Sequence, residues 1–460
     1  MREAPEGARN NTLNEAAFNL GTLVGGAHLE RGDVEAALEA AAMAVGLEPG
    51  ETAATIRSGL NAGFKPPRAY IPSTPPPPPH AAGNGNGHHA AAAAVSAEPP
   101  TVVLGTDEHR VVDEVVAALR DDQDLYSRGG VLVRIARVEH EDDKADIRRK
   151  RGTLTIERLP NPTLRLKITR HCRLVSVKHV EGEPVEKPAH PPSWLTNGVE
   201  TAGEWPGIRP LASVSDAPPL RRDGTLHQTP GYDPLTGVFY APAGDEVNVP
   251  DGIGLDDAQA AAAELEDLVC DFSFEASEHR AAWLASLLTP LARPAFSGPS
   301  PLFLFDANVR GSGKTMLAQI ASNVITGRDI PASSYTADPD ELRKRVTAIA
   351  ISGDRMILLD NIEGVFGNDT IDRALTSTNW KDRILGRTEL VDMPLLATWY
   401  GTGNNVIVAA DTARRIIHVR LDVLDENPED RSGFKYPDVV GHARRNRPRL
   451  LAAALTLLSA

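Results

Sequence analysis

Seven residues over 308–316 could do chemistry together: Asn308, Gly311, Ser312, Gly313, Lys314, Thr315 and Met316. A glycine-spaced turn can fold its backbone N–H groups around an anion, because glycine enters left-handed backbone conformations without steric cost. A lysine at the end of such a turn can reach the β- and γ-phosphates of a nucleotide. The hydroxyl beside it is a hard oxygen ligand for Mg2+. The spacing is that of G-x-x-x-x-G-K-[ST], with Asn308 where the first glycine is expected. Asparagine enters left-handed geometry more readily than most residues, so the turn is expected to survive. These seven residues form the expected nucleotide-binding set, with ATP and Mg2+ as cofactors.

Three further groups complete a reaction site. Residues 355–360, RMILLD, read as an apolar strand ending in Asp360, a carboxylate placed to hold the metal with Thr315. The next residue is Asn361, and the nearest acid is Glu363. A general base must lie within hydrogen-bond reach of the attacking water, and the spacing leaves open whether Glu363 does so. A strand over about residues 395–402 ends in Gly403-Asn404-Asn405, where a side-chain amide could orient water or sense the γ-phosphate. Arg414 and Arg415 precede another strand. Arginine stays charged and meets phosphate oxygens bidentately, so either residue suits a finger reaching a neighbouring subunit. The expected catalytic set is Lys314, Asp360, Glu363, Asn404, Arg414 and Arg415.

The elements that must position these groups follow from periodicity. Residues 301–307 form an apolar run of strand length. Met316, Leu317 and Ile320 then recur at helical spacing, which gives a strand, a glycine turn and a helix. Upstream, residues 255–295 read as helices, with Trp283, Leu284 and Leu287 on one of them. They are expected to brace the domain at 301–460.

Earlier in the chain, residues 1–67 read as a small all-α bundle, with helices near 14–24, 34–45 and 51–62. Asp33 is the expected N-cap of the second. Residues 68–100 are rich in Pro, Gly, Asn and Ala and read as a disordered linker; His80, His88 and His89 within it carry no metal pattern. Residues 101–250 form a mixed α/β region expected to be accessory. It should hold a helix over 108–119 and strands over 129–138, 154–156 and 164–168, with turns at Gly207, Gly224 and Gly231. The cluster Arg148-Arg149-Lys150-Arg151 is expected to be a solvated turn rather than a nucleic-acid contact. Residues 251–300 are the helical brace.

A chain of 460 residues implies several domains, and its net charge of −14 argues against a protein coated all over with nucleic acid, though not against a local DNA channel. The two cysteines, Cys172 and Cys270, form no metal or disulfide pattern and are expected to be buried thiols. No signal core and no long apolar run occurs, so the protein is expected to be soluble and cytoplasmic, with no membrane partner.

In order, the chain carries the glycine turn, DELRKR at 340–345, LLDN-x-E, ALTSTNWKDRILGR at 374–387, a strand ending in GNN, and DTARR. This order resembles superfamily 3 helicases, in particular the poxvirus-type primase-helicases of phages and integrative elements within the AAA+ group. The resemblance covers residues 290–460. Residues 8–66 resemble the helical tail that follows the catalytic part of bifunctional primase-polymerases. The resemblance implies an α/β P-loop ATPase domain working as a hexameric ring. It assigns Walker A roles to Lys314 and Thr315, the Walker B acid to Asp360, the motif C asparagine to Asn404 (with Asn405 second) and the finger to Arg414 or Arg415. Lys381, Arg383 and Arg387 fall where the family contacts DNA or a neighbouring subunit. The expected function is an ATP-dependent DNA helicase or translocase in phage or mobile-element replication. Its partners would be single-stranded DNA, other copies of itself and a separate primase or polymerase, since no D-x-D polymerase centre precedes the N-terminal helices. Arg343, Lys344 and Arg345, or Lys381 and Arg383, would line the channel. Asn361 keeps a second reading open, a nucleotide-binding replication adaptor that does not hydrolyse. A third is an AAA+ ATPase acting on protein. The basic start of the terminal helix suits a lid or a DNA contact, with a structural helix preferred.

Overall fold

The computed structural model describes residues 9–25, 31–43, 49–64, 98–180, 183–244, 246–250, 252–383, 390–424, 428 and 431–460. The linker histidines and Arg387 lie outside these. The chain is an α/β protein in two compact units, divided near residue 94.

The first unit is three helices: α1 (Arg9–Gly25), α2 (Arg31–Met43) and α3 (Pro49–Phe64). Each carries one apolar stripe at a spacing of four: Leu13 and Ala17, Val34, Leu38 and Ala42, Ile56 and Leu60. All seven are buried together. Helix α2 begins at Arg31, which places Asp33 inside its first turn.

The second unit starts with β1 (Thr101–Leu104), α4 (Glu108–Ala118), β2 (Tyr126–Arg128), β3 (Val131–Arg137) and β4 (Leu154–Arg158). There follow α5 (Asn161–His171), β5 (Arg173–Val180), β6 (Glu183–Pro188) and α6 (Ser193–Thr201). Next come β7 (Arg209–Pro210), β8 (Ser213–Ser215), β9 (Gly231–Asp233) and β10 (Val238–Tyr240). These strands form three small sheets, ordered β1-β5-β6, β4-β3-β2-β7 and β8-β10-β9. The strand expected at 164–168 is instead helix α5. Its L-R-L-K-I alternation imitates a strand, but Pro162 sits at the helix start, and the buried pair is Leu164 and Ile168, four apart, while Leu166 between them is 66% exposed.

Buried arginines bolt this region to the C-terminal part of the unit. Arg128 donates to the carbonyls of Ala350 at 2.7 Å and Pro394 at 2.8 Å. In the 148–151 cluster, Arg149 pairs with Asp354 and Ser352, and the Arg148 backbone bridges Ala332. Arg149 is therefore a staple, while the side chains of Arg148, Lys150 and Arg151 are exposed, as expected of a solvated turn. Arg355 donates to Ser215 Oγ and the Pro290 carbonyl.

Helices α7 (Leu255–Asp267) and α8 (Ser277–Ala292) lead to β11 (Leu302–Ala307) and α9 (Lys314–Thr326). The chain continues through β12 (Ala332–Ser334), α10 (Pro339–Ser352), β13 (Met356–Ile362), β14 (Val365–Phe366) and α11 (Asp369–Ala374). A hairpin, β15 (Asn379–Arg383) and β16 (Leu390–Pro394), precedes β17 (Thr398–Asn404), so the third strand starts later than its apolar run suggests. Then come β18 (Ile407–Val408), α12 (Ala410–Ala413) and β19 (Ile416–Leu421). Five strands form one parallel sheet, ordered β12-β13-β17-β11-β19. Parallel strands buried on both faces read as continuous apolar runs. Accordingly, Phe303 and Phe305 face a core with Leu317, Ile320, Trp283 and Leu287, while Leu302 and Leu304 face Ile357, Leu359, Trp380 and Trp399. The two helices before β11 belong to this core: Trp283 Nε1 donates to the Leu317 carbonyl, and the Tyr400 hydroxyl to that of Ser286.

The chain closes with α13 (Val439–Arg445) and α14 (Arg447–Ser459), which pack into the same core. The buried Arg447 donates to the carbonyls of Ala243, Asp216 and Ile325, so the basic start of α14 is structural. Cys172 is buried, and its thiol is pushed up to about 11 by burial; Cys270 is exposed, contrary to expectation, beyond the end of α7. Among the described residues no helix is long and apolar enough to cross a membrane.

Candidate functional site

The carboxyl ends of β11, β13 and β17 meet at one edge of the sheet. Ala307 is in register with Asn404, and Ile362 with Gly403. This edge is where open parallel sheets hold ligands. β11 and β13 flank β17, so groups at their ends stand about 10 Å apart, two strand spacings.

The turn between β11 and α9 spans residues 308–313, with Gly311 at φ 73° and Gly313 at φ 88°. A Cβ at 313 would come within 2.7 Å of the Phe272 ring, so glycine is required there for space as well as for dihedral. Asn308 is absent from the left-handed residues, which among the described non-glycines are Asn361 and Asn405. Its role differs from the expected one. Its amide donates to the Val423 carbonyl at 2.8 Å and to Asp422 at 3.0 Å, and its oxygen accepts the Val423 N–H at 3.1 Å. Asn308 thus stitches the turn to the segment after β19.

Lys314 points its ammonium back into the turn. It donates to Ser312 Oγ at 2.8 Å, the Val309 carbonyl at 3.0 Å and Asn404 Oδ1 at 2.7 Å. Burial lowers its pKa, opposed by the negative charge of Asp306. Thr315 and Met316 are exposed on the first turn of α9.

Asp306 belongs to none of the sequence motifs. It lies just before the turn, 1% exposed, and holds Arg420 at 2.7 Å and His418 at 3.2 Å. Burial pushes its pKa up. The hydrogen bonds from His418 and the Val406 amide, with the charges of His418 and Arg420, outweigh burial and hold the carboxyl below its ordinary value. Arg420 also donates to Asn405 Oδ1, and Asn405 reaches the Asn308 carbonyl. An aspartate inside an apolar strand, opposite His and Arg in a later one, was the available signal.

Asp360 accepts from Thr402 Oγ1 at 2.7 Å, which orients its carboxylate at the same edge. Asn361 follows in left-handed backbone, φ 55°, at a bulge in β13. Its side chain donates to Glu363 Oε1 at 2.9 Å, and Glu363 is exposed. Asn404 is brought to the turn lysine, whereas Asn405 serves the Arg420 network.

Arg414 and Arg415 are not brought to this edge. They precede β19, whose start is in register with Leu302 at the opposite end of β11, about 20 Å from the turn by strand rise. Arg414 is exposed and paired with Asp411. Arg415 is tied to Asp372 at 3.3 Å and to the Asp411 carbonyl. Lys381 and Arg383 are exposed on β15, two apart and so on one face of the hairpin. The hairpin is anchored by Trp380, which is buried against Arg373 and donates to Thr347. Arg345 is used internally by Ser333 and Ser334, while Arg343 and Lys344 pair with acids of α10.

A cavity of about 370 Å³ opens beside Gly311, Ser312 and Gly313, walled by Phe272, Phe434 and Tyr436. Its size and aromatic walls suit a flat heterocycle.

No protein-family model matches the chain, and no curated protein matches it. Solved structures similar to it include the apo A form of the NrS-1 C-terminal region, at 12% identity over 66% of this chain and 63% of that one, with a TM-score of 0.33. An X-ray structure of the JCV helicase is similar at 15% identity over 44% of this chain and 60% of that one, with a TM-score of 0.23. In both cases the chain spans less than two thirds of the other's length. Likeness at this level is loose, and the site's own geometry stands without it.

Proposed function

We propose that the second unit binds and hydrolyses a nucleoside triphosphate, and that the chain is an ATP-dependent DNA helicase or translocase working as a ring. The observation that carries this reading is the Lys314 ammonium, held inside a glycine turn by Ser312, Val309 and Asn404 at the carboxyl edge of a parallel sheet. A lysine stored on neutral oxygens can exchange them for phosphate oxygens, which are stronger acceptors. The α9 N-terminus adds its positive end. The oxygens of Thr315 and Asp360 are the right donors for Mg2+, which would neutralise β- and γ-phosphate charge when bound. The cavity beside Gly313 suits the base. Asn404 orients the attacking water, and Glu363 accepts its proton. Arg414, exposed and distant from its own turn, serves a neighbour's nucleotide, which requires a ring of copies. Lys381 and Arg383 on the hairpin face single-stranded DNA. The resemblance of motif order adds replication of a phage or mobile element as the setting, with a separate primase or polymerase as partner.

One observation favours a second reading. Asn361 stands where a second acid would be, and Glu363 is held by its amide. That arrangement fits a nucleotide-binding adaptor with little turnover. The discriminating experiment is ATP hydrolysis by the full chain with and without single-stranded DNA, beside Lys314→Ala. Turnover raised by DNA and absent from the variant supports the motor. ATP binding without turnover supports the adaptor. Turnover indifferent to DNA points to an ATPase acting on protein.

A further inference from the structure

The two left-handed asparagines, Asn361 and Asn405, each stand directly after a residue of the expected catalytic set, Asp360 and Asn404. Backbone in a sparsely populated region persists only where its surroundings fix it, and such residues gather at functional sites. Asn361 is fixed by the neighbouring strand, its N–H donating to Thr402 Oγ1 at 3.2 Å. Asn405, at φ 47°, is fixed from three sides. Its N–H donates to the Ala307 carbonyl at 3.1 Å, and its side-chain amide to the Asn308 carbonyl at 3.3 Å. Its side-chain oxygen accepts from Arg420 at 3.1 Å. The next N–H, of Val406, goes to the buried Asp306 at 3.3 Å.

The consequence falls on Asn404, the last residue of β17, because the backbone at 405 sets where its amide sits. Asn405 clasps the start of the glycine turn at Asn308, while Asn404 meets the lysine at its end. Arg420 reaches this clasp from β19. One arm of its guanidinium bonds Asp306 at 2.7 Å, the other bonds Asn405, and its Nε lies 3.4 Å from Glu275. A planar fork holds two acceptors at a fixed angle, which an ammonium cannot do. Arg420 bonds neither Lys314 nor Asn404, so its influence on them passes through Asn405. We infer that Arg420 is a positioning residue for the proposed hydrolysis: acting through Asn405, it fixes the amide of Asn404 where the attacking water is met. This inference rests on the reading of the turn as a nucleoside triphosphate site.

The test measures kcat by phosphate release, and affinity with a fluorescent nucleotide, on the full chain and on Arg420→Lys and Asn405→Gly. Lysine keeps a positive charge beside Asp306 and Glu275 and gives up the second arm. Glycine keeps the left-handed backbone and gives up the side chain. Each variant should lower kcat about tenfold and leave nucleotide affinity within about twofold. Both substitutions are then repeated in the Asn404→Ala background. There neither should lower kcat further, because the group they position is gone, whereas a merely structural role would lower it in both backgrounds. Thermal unfolding identifies a misfolded variant, and if Arg420→Lys is one, Asn405→Gly carries the test alone. A folded variant with wild-type kcat overturns the inference, as does a second fall of equal size in the Asn404→Ala background. Wild-type turnover with unchanged variants overturns this inference alone. A wild type without turnover overturns the hydrolysis reading and takes the inference with it.

Discussion

The Lys314 ammonium lies 2.7 Å from the side-chain oxygen of Asn404, so the end of β17 and the start of α9 share one hydrogen bond. A phosphate arriving in the turn must compete with that bond. Loss of the lysine and loss of the amide therefore have separable effects. Lys314→Ala is expected to abolish both ATP binding and turnover. Asn404→Ala is expected to hold nucleotide within a few-fold of the wild type while lowering kcat at least about tenfold, because in the proposed reaction Asn404 orients water rather than nucleotide. Binding of a fluorescent nucleotide and phosphate release check the two. Equal loss of binding in both variants would refute the separation.

Asn308 gives a prediction opposite to the motif. Restoring glycine would normally be thought to improve a phosphate turn. Here Asn308→Gly removes three hydrogen bonds to Asp422 and Val423 and adds backbone freedom. At roughly 1 kcal/mol net for each bond, the cost is about 1–3 kcal/mol, read as a lower Tm. A variant as stable as the wild type would show that the stitch is idle.

The same residue shows how much was legible in the sequence. Apolar runs and glycine spacing placed β11, α9, β13 and β19, because buried parallel strands and helix starts leave local marks. They could not place Asn308's partners, which lie more than a hundred residues away. Nor could they find Asp306, whose meaning comes from Arg420 on the neighbouring strand. Helix α5 was misread because L-R-L-K-I satisfies a period of two as well as burial at i and i+4, and only tertiary packing decides. Within the basic cluster at 148–151 only Arg149 was misjudged, for a similar reason: its counter-ion, Asp354, is remote in sequence.

Asp306 carries a pH signature. Its folded pKa lies below the ordinary carboxyl value of 3.8, so its stabilising effect is complete above pH 3.8 and is lost as pH falls through the folded pKa. Asp306→Asn should lose stability at pH 7, by about 1–3 kcal/mol, since Arg420 loses its buried counter-ion. It should also show a shallower decline below pH 3.8 than the wild type. Urea unfolding at neutral pH and at two acid values measures both. Parallel acid profiles would exclude Asp306 as the group responsible.

Asn361 and Glu363 separate geometry from chemistry. Asn361 adopts φ 55°, which glycine accepts without cost and a β-branched residue does not. Asn361→Gly should stay close to wild-type stability, whereas Asn361→Val should lose roughly 1–2 kcal/mol. If Glu363 is the base, Glu363→Gln should cut turnover by about 100-fold or more with nucleotide binding kept. Unchanged turnover would remove Glu363 from the mechanism.

The two arginines before β19 were indistinguishable in sequence and are distinct in the fold. Arg415 is tied within its own chain to Asp372 and the Asp411 carbonyl, so Arg415→Ala should lower Tm. Arg414 is exposed, and its partner, Asp411, is a surface acid whose pair contributes little. Arg414→Ala should leave Tm unchanged and still lower turnover by about 100-fold or more, as expected for a finger acting on a neighbour. Because the lysine and the arginine of one active site then belong to different copies, mixing offers a direct test. Lys314→Ala and Arg414→Ala, each inactive alone, should regain part of the activity when co-assembled, since some interfaces then carry both wild-type residues. A mixture no more active than its components would mean that Arg414 does not work across an interface, and the ring would lose its structural rationale.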